Sequence, residues 1–154
     1  MKRKFLINLL LSFGVTAVVA GVGSIFVSNG MQWMMGLVKP SEWVPNILIP
    51  IVWSVIYVAT ATTIYLWISR GNMPIHIVVL FIVNGVMNIA WCLLFFQLHL
   101  ILVGLVAIII NLIVGIVLWI GIYRERRISA YILSIYPLWL CIATTLNLAL
   151  WILN

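Results

Sequence analysis

Five long apolar segments make up most of this 154-residue chain, and they constrain its fold more than any other feature. Their predicted limits are about 5–27, 45–69, 75–96, 101–123 and 128–151. Each is long enough to cross the roughly 30 Å hydrocarbon core of a bilayer as a helix. A segment inside a bilayer must pair its own backbone groups. The sequence therefore predicts an all-α integral membrane protein, with one domain over residues 1–154 that forms a five-helix transmembrane bundle.

Charge is scarce and sits at the ends of the apolar segments. Hydrophobic residues make up 66% of the chain and charged residues 6%, so a soluble fold could not cover its surface with polar groups. The net charge of +6 does not indicate nucleic-acid binding, because the basic residues form no polar face. The lipid bilayer is the predicted partner.

The basic residues also predict the orientation. With the N-terminus inside, seven of the eight fall on the inner side and only Lys39 falls outside, which follows the positive-inside rule. The seven are Lys2, Arg3, Lys4, Arg70, Arg124, Arg126 and Arg127. We therefore expect an uncleaved first helix and an N-terminus inside.

Few residues could support acid–base, metal or nucleophilic chemistry. Both acids and all the cations lie outside the apolar interiors, which argues against ion-coupled pumping. His76 and His99 stand near opposite ends of the third segment, too far apart to hold one haem iron. Cys92 and Cys141 lack metal-ligand spacing and are expected to be buried as small apolar residues. No metal and no required cofactor are predicted.

The longest predicted non-helical piece covers residues 28–46 and contains Trp33 and Trp43. Pro40 and Pro45 force the residues before them into extended backbone. The piece is either an anchor at the membrane interface or a lid over a cavity between helices.

The fifth segment places Trp139, Ala143 and Asn147 on one helical face, with Tyr136 one turn earlier. A small residue beneath an indole leaves a recess. A neighbouring amide could orient a ligand that fills this recess. The alternative is helix packing, in which small residues permit close approach and amides bridge helices. The spacing alone does not separate the two.

Two other segments carry matching stripes. The third has Asn84, Asn88, Trp91 and Phe95 on a face too polar for lipid, and the second has Trp53 and Tyr57 on one side. The fourth, with Asn111 as its only amide, is predicted to form a lipid-facing wall.

Tryptophans and amides from these stripes are expected to converge. Flat indole surfaces with a few amides suit a planar, mainly apolar ligand. The converging residues are Trp33, Trp53, Trp91, Trp139, Asn88 and Asn147.

Four motifs occur in order along the chain. W-x-x-x-L-x-K-P begins at Trp33, with Pro45 downstream, and V-W-x-x-I-Y begins at Val52. N-x-x-W-x-x-x-F-F begins at Asn88, and Y-x-x-W-x-x-x-A-T-x-L-N begins at Tyr136. Over nearly its whole length the chain resembles the tryptophan-rich sensory protein/translocator protein family, TspO/MBR.

This resemblance implies a five-helix bundle, often a homodimer, with a pocket beneath the first loop. It implies binding of protoporphyrin or a related tetrapyrrole and of benzodiazepine-site ligands. Some bacterial members of the family degrade porphyrin in a light- and oxygen-dependent reaction, so the resemblance implies that this chain could do the same. Trp53 and Trp139 are then the catalytic candidates. The ligand-binding candidates are Trp33, Pro45, Trp53, Tyr57, Asn88, Trp91, Phe95, Tyr136, Trp139, Ala143 and Asn147.

The expected location is the bacterial inner membrane, with several passes. Two alternative functions stay open: export or transport of porphyrins and other amphipathic compounds, and ligand sensing by a regulatory membrane protein.

The chain departs from the family pattern in three places. The family loop K-P-x-W-x-P-P is replaced by K-P-S-E-W-V-P-N from Lys39, which changes the expected lid. The family's P-Y in the fifth segment is replaced by Tyr136 followed by Pro137, which moves any kink by two residues. The sterol motif of animal members lacks its Tyr and distal Arg after Asn147, so sterol binding by that motif is not expected.

Overall fold

The computed structural model describes residues 2–41, 44–71 and 73–154, except the side chain of Lys2. The helices are α1 (Lys2–Gly36), α2 (Leu48–Ser69), α3 (Ile75–Cys92), α4 (Ile101–Glu125), α5 (Arg127–Leu133) and α6 (Ile135–Leu153). A π-helical turn, Leu93–Gln97, extends α3, and α5 and α6 together form the fifth span. Across these described ranges, five helical segments are long and apolar enough to cross a membrane, which confirms the predicted all-α membrane fold. The inside position of the N-terminus and the single domain stay predictions.

Helix α1 is longer than predicted and continues to Gly36, so the predicted loop over residues 28–46 is wrong for its first half. No proline occurs before Pro40, and nothing in residues 28–36 stops the helix. Trp33 is therefore helical. At the other end of the loop, α2 begins at Leu48 instead of Pro45, with Pro50 in its first turn, where a missing backbone N–H costs little.

The fifth span is interrupted at Ser134, between α5 and α6. Pro137 lies in the first turn of α6 and cannot donate a backbone hydrogen bond, which accounts for the interruption. The Ser134 N–H bonds to the Tyr131 carbonyl at 3.3 Å, so the Ala130 carbonyl lacks its backbone partner and instead accepts from the Ser134 hydroxyl at 2.9 Å. The indole of Trp119 in α4 donates to that carbonyl at 2.9 Å. The break thus becomes a fixed contact between the fourth and fifth spans.

Helix α4 packs against α3 and α6, so the predicted lipid-facing wall is wrong for one of its faces. Asn111 on that face is fully buried, whereas Val103 and Ile113 on the opposite face are exposed. Gly104 permits the close approach, because a Cβ there would lie 2.8 Å from the Cβ of Phe95. The prediction missed this face because apolar side chains line both sides of the helix, and only Asn111 and small residues such as Gly104 mark it.

Four polar side chains from α3, α4 and α6 form a buried group that we call the amide–tyrosine cluster: Asn84, Asn88, Asn111 and Tyr136. The Asn84 amide nitrogen donates to the Tyr136 hydroxyl at 2.8 Å and to the Asn111 carbonyl oxygen at 2.9 Å. Asn88 also donates to the Tyr136 hydroxyl, at 3.3 Å, and that hydroxyl donates to Asn111 at 3.3 Å. Hydrogen bonds of this kind join helices that gain no hydrophobic energy from meeting in lipid.

Tyr136→Phe is expected to lower the free energy of unfolding by about 1–2 kcal/mol, because it removes a hydroxyl that three buried amides use. Tyr131→Phe is the matched control, since Tyr131 is exposed. Unfolding by SDS titration in mixed micelles measures both variants. Equal stabilities of the two variants would show that the Tyr136 hydroxyl does not help to hold α6 against α3 and α4.

Candidate ligand-binding site

A cavity of about 610 Å³, the main cavity, lies among α1, α2, α3 with its π-helical turn, and α6. It occupies the end of the bundle next to residues 37–47, and its volume is typical of small-molecule sites. Eight of the eleven predicted ligand-binding residues line it: Trp53, Tyr57, Asn88, Trp91, Phe95, Trp139, Ala143 and Asn147.

One wall of the main cavity is a series of aromatic rings. Trp53 stacks on Trp91 with ring centroids 5.9 Å apart, and Trp91 stacks on Phe95 at 6.2 Å. Tyr57 lies one helical turn from Trp53, at 5.8 Å. Near-parallel rings of this kind present a flat, polarisable surface.

The α6 wall carries the predicted Trp139–Ala143–Asn147 stripe, and all three side chains are at least nine-tenths buried. Asn147 donates to the Ala143 carbonyl at 2.8 Å and accepts the indole N–H of Trp91 at 3.2 Å. The stripe therefore packs helices and lines the cavity at once, so the two interpretations are compatible. Asn147 fixes the orientation of Trp91.

The Trp139 indole N–H is buried and makes no hydrogen bond to any residue of the described ranges. A buried donor without a partner costs roughly 1–3 kcal/mol.

Three predicted site residues do not line the main cavity. Trp33 packs edge-on against Phe95 at 5.5 Å and stacks on His99 at 4.3 Å, because the longer α1 carries it behind the aromatic wall. Pro45 lies in the exposed connection, although Asn46 next to it does reach the cavity. Tyr136 is held in the amide–tyrosine cluster, below the cavity floor.

Helix α1 supplies cavity residues that the sequence analysis did not identify: Ala20, Gly23, Ser24, Val27, Ser28, Met31 and Met34. Ala20, Ser24, Val27, Met31 and Met34 follow a helical spacing of four and three, which was the available signal. This spacing was hidden because the side chains are small or flexible, and because the first apolar segment was predicted to end near Val27.

Cys92 is buried and lines the main cavity, whereas Cys141 is exposed on the outer face of α6. The prediction that both are buried is wrong for Cys141. Its neighbours Leu138 and Ile142 are exposed too, so this side of α6 faces away from the bundle.

The connection between α1 and α2 begins at a residue that is hydrogen-bonded to the end of α6. The Asn154 side chain accepts from the Val38 N–H at 2.9 Å and donates to the Val38 carbonyl at 3.1 Å. Glu42 and Trp43 lie outside the described residues, so the choice between lid and interfacial anchor stays open.

The main cavity has aromatic and aliphatic walls, and no described residue that lines it carries a charge. Within the same part of the chain, no group of three or more His, Cys, Asp or Glu side chains could hold a metal ion. The arrangement can bind a flat, largely apolar molecule and can supply indole rings to it.

Comparison with known proteins agrees with the motifs. The family model for the TspO/MBR family matches residues 12–152. The Tryptophan-rich protein TspO of Chlorobaculum tepidum is 28% identical and that of Archaeoglobus fulgidus 29%, each over at least 97% of both chains. The human Translocator protein is 33% identical over 84% of this chain and 80% of its own length. A match over almost the whole sequence, together with five helical segments of the described ranges that are long and apolar enough to cross a membrane, shows that this chain belongs to the TspO/MBR family.

Proposed function

We propose that this membrane protein binds a tetrapyrrole such as protoporphyrin in the main cavity. The observation that carries the proposal is the stacked pair Trp53 and Trp91, which lines the same 610 Å³ cavity as Trp139 and Ala143. A macrocycle gains contact area on the flat indoles, and Ala143 leaves room beside Trp139. The family membership supports the same ligand class.

The polar groups of the cavity would set the ligand's orientation. The amides that line the cavity belong to Asn46, Asn88 and Asn147, and a polar edge of the ligand would lie against them. No described lining residue can neutralise a carboxylate, so the ligand's acidic groups would stay at the mouth, in contact with water.

Light-driven degradation of the bound tetrapyrrole is the enzymatic part of the proposal. A light-excited porphyrin takes one electron from an indole, which gives a porphyrin radical anion and a tryptophan radical cation. The anion passes its electron to dioxygen, which becomes superoxide, and the tryptophan radical cation then takes an electron from the porphyrin and is restored. Superoxide adds to the resulting porphyrin radical cation, so the net change is addition of dioxygen to the ring. Trp53 and Trp139 are the electron donors, since both line the cavity. Asn88 and Asn147 hold the surrounding walls through Tyr136 and Trp91.

The physiological setting belongs to the same proposal. The five apolar spans found among the described residues make this a multi-pass membrane protein. We place it in the bacterial inner membrane as a homodimer, with the N-terminus inside.

An absorbance time course of purified protein with protoporphyrin, in light and in darkness, separates binding from chemistry. We expect tryptophan fluorescence to be quenched in both conditions and absorbance to fall only in light with oxygen. In the double variant Trp53→Phe, Trp139→Phe, the light-driven loss should slow at least tenfold.

Trp151→Phe is the control, because Trp151 is exposed and lies outside the cavity. Unchanged loss in the double variant would refute the enzymatic part and leave binding intact. Absence of quenching in the unmodified protein would refute the binding proposal itself.

A further inference from the structure

A second cavity, of about 250 Å³, lies below the main one among α1, α2 and α3. Residues 15–19, 56–64 and 81–89 supply its walls, with Tyr136 at the back. Tyr57 and Asn88 line both cavities and form the partition between them. The tetrapyrrole proposal leaves this lower cavity unused.

The lower cavity lies halfway along three of the apolar helical segments. Its wall segments fall near the midpoints of the spans Arg3–Gly36, Leu48–Ser69 and Ile75–Gln97. Its rim includes Val15 of α1 and Ile82 and Val86 of α3, which are 59%, 60% and 59% exposed. At that depth the surroundings of an exposed side chain are lipid acyl chains.

The polar groups of the lower cavity are two threonines, two tyrosines and two amides. Thr16 donates to the Ser12 carbonyl of its own helix at 2.9 Å, and Thr60 and Tyr57 supply the other hydroxyls on the α1 and α2 side.

The walls of the lower cavity are mainly aliphatic, with Phe81 as the one aromatic ring besides the two tyrosines. Asn84 donates to Tyr136 and Asn111, and Asn88 donates to Tyr136, so these amides are engaged with each other. A ligand that bonds to the amides would have to break those bonds, whereas an alkyl chain would not.

We propose that the lower cavity binds the acyl chain of a bilayer lipid, which enters sideways between α1 and α3. A void halfway along the spans leaves its lining atoms without dispersion partners, and a linear alkyl chain restores them. The Tyr57–Asn88 partition keeps this chain out of the main cavity. The lower cavity is thus a lipid subsite that is separate from the proposed tetrapyrrole site.

The test uses the full chain in bilayers of phosphatidylcholine that carries a photoreactive diazirine at the middle of one acyl chain. After irradiation, mass spectrometry of peptides locates the cross-links. We expect strong labelling of Ile56, which lines the lower cavity but is only 2% exposed. Ile113 of α4, 57% exposed and outside both cavities, reports labelling by ordinary surrounding lipid.

Two independent variants fill the lower cavity, Gly85→Leu and Thr60→Phe, and each should reduce labelling of Ile56 at least fivefold while Ile113 stays unchanged. A Cβ at Gly85 would lie 3.2 Å from the end of the Val19 side chain, which can give way. Gly21→Leu is the matched control, since nothing lies within 4 Å of a Cβ at that position of α1.

Ile113 labelling without Ile56 labelling in the unmodified protein would overturn the proposal. Ile56 labelling that survives both filling variants would overturn it as well. If one filling variant does not fold, the other still gives the comparison. The readout contains no tetrapyrrole, so its result is independent of the proposed function.

Discussion

Gly30→Ala is expected to lower the free energy of unfolding by about 3 kcal/mol or more, the largest effect of any single substitution considered for the fold. A Cβ at Gly30 would overlap the carbonyl group of Phe96 and lie 2.8 Å from its Cα. The obstacle is backbone in the π-helical turn, so no side-chain rotation can relieve the overlap, and α1 must move away. Thermal or SDS unfolding in micelles measures the loss.

Gly21→Ala provides the comparison on the same helix, because a Cβ there meets nothing within 4 Å. Alanine is the better helix former, so this variant should match the unmodified protein or gain up to about 1 kcal/mol. If both variants unfold alike, the contact of α1 with the π-helical turn does not stabilise the bundle. Since α1 also lines the main cavity, Gly30→Ala should weaken ligand binding too.

Ala143→Leu is expected to weaken protoporphyrin binding at least tenfold, about 1.4 kcal/mol, while the protein stays folded. Ala143 lines the main cavity, one helical turn from Trp139, and is 5% exposed. Because Ala143 lines the main cavity, the three carbon atoms that leucine adds would take up ligand volume. Quenching of tryptophan fluorescence during a protoporphyrin titration measures the affinity.

Ala17→Leu is the matched control, because it makes the same exchange at an exposed position of α1 that lines neither cavity. It should bind protoporphyrin as the unmodified protein does. Equal affinity of Ala143→Leu and Ala17→Leu would show that the ligand does not occupy the space beside Trp139.

The spans were predictable because the hydrocarbon thickness sets a minimum length and charges mark the ends. The residues at which the helices begin and end were less predictable. Residues 28–36, over which α1 extends to Gly36, are polar enough to suggest a loop. A helix nevertheless pairs its own backbone groups at the membrane surface as it does within the bilayer, so polar side chains do not end it. The packed face of α4 was hidden because lipid and protein neighbours both accept Leu, Ile and Val.

The aromatic and α6 walls of the site were predictable, since indoles and amides are rare enough in apolar helices to stand out. The contribution of α1 was not, because Ala20, Ser24 and Met31 carry no chemical signature. Tyr136 shows a further limit: its position on the stripe indicated an inward direction. Only the three-dimensional structure shows that Tyr136 bonds to Asn88, which lines the main cavity, without lining that cavity itself.

The uncharged lining of the main cavity also bears on how the protein responds to an energised membrane. A transmembrane voltage does work only on charge that moves through the field, roughly 2.3 kcal/mol per elementary charge per 100 mV. The described lining residues contribute none. Any dependence of ligand binding on membrane potential would therefore originate in the ionised groups of the ligand itself. A neutral ligand should bind equally well to the protein in vesicles with and without a membrane potential.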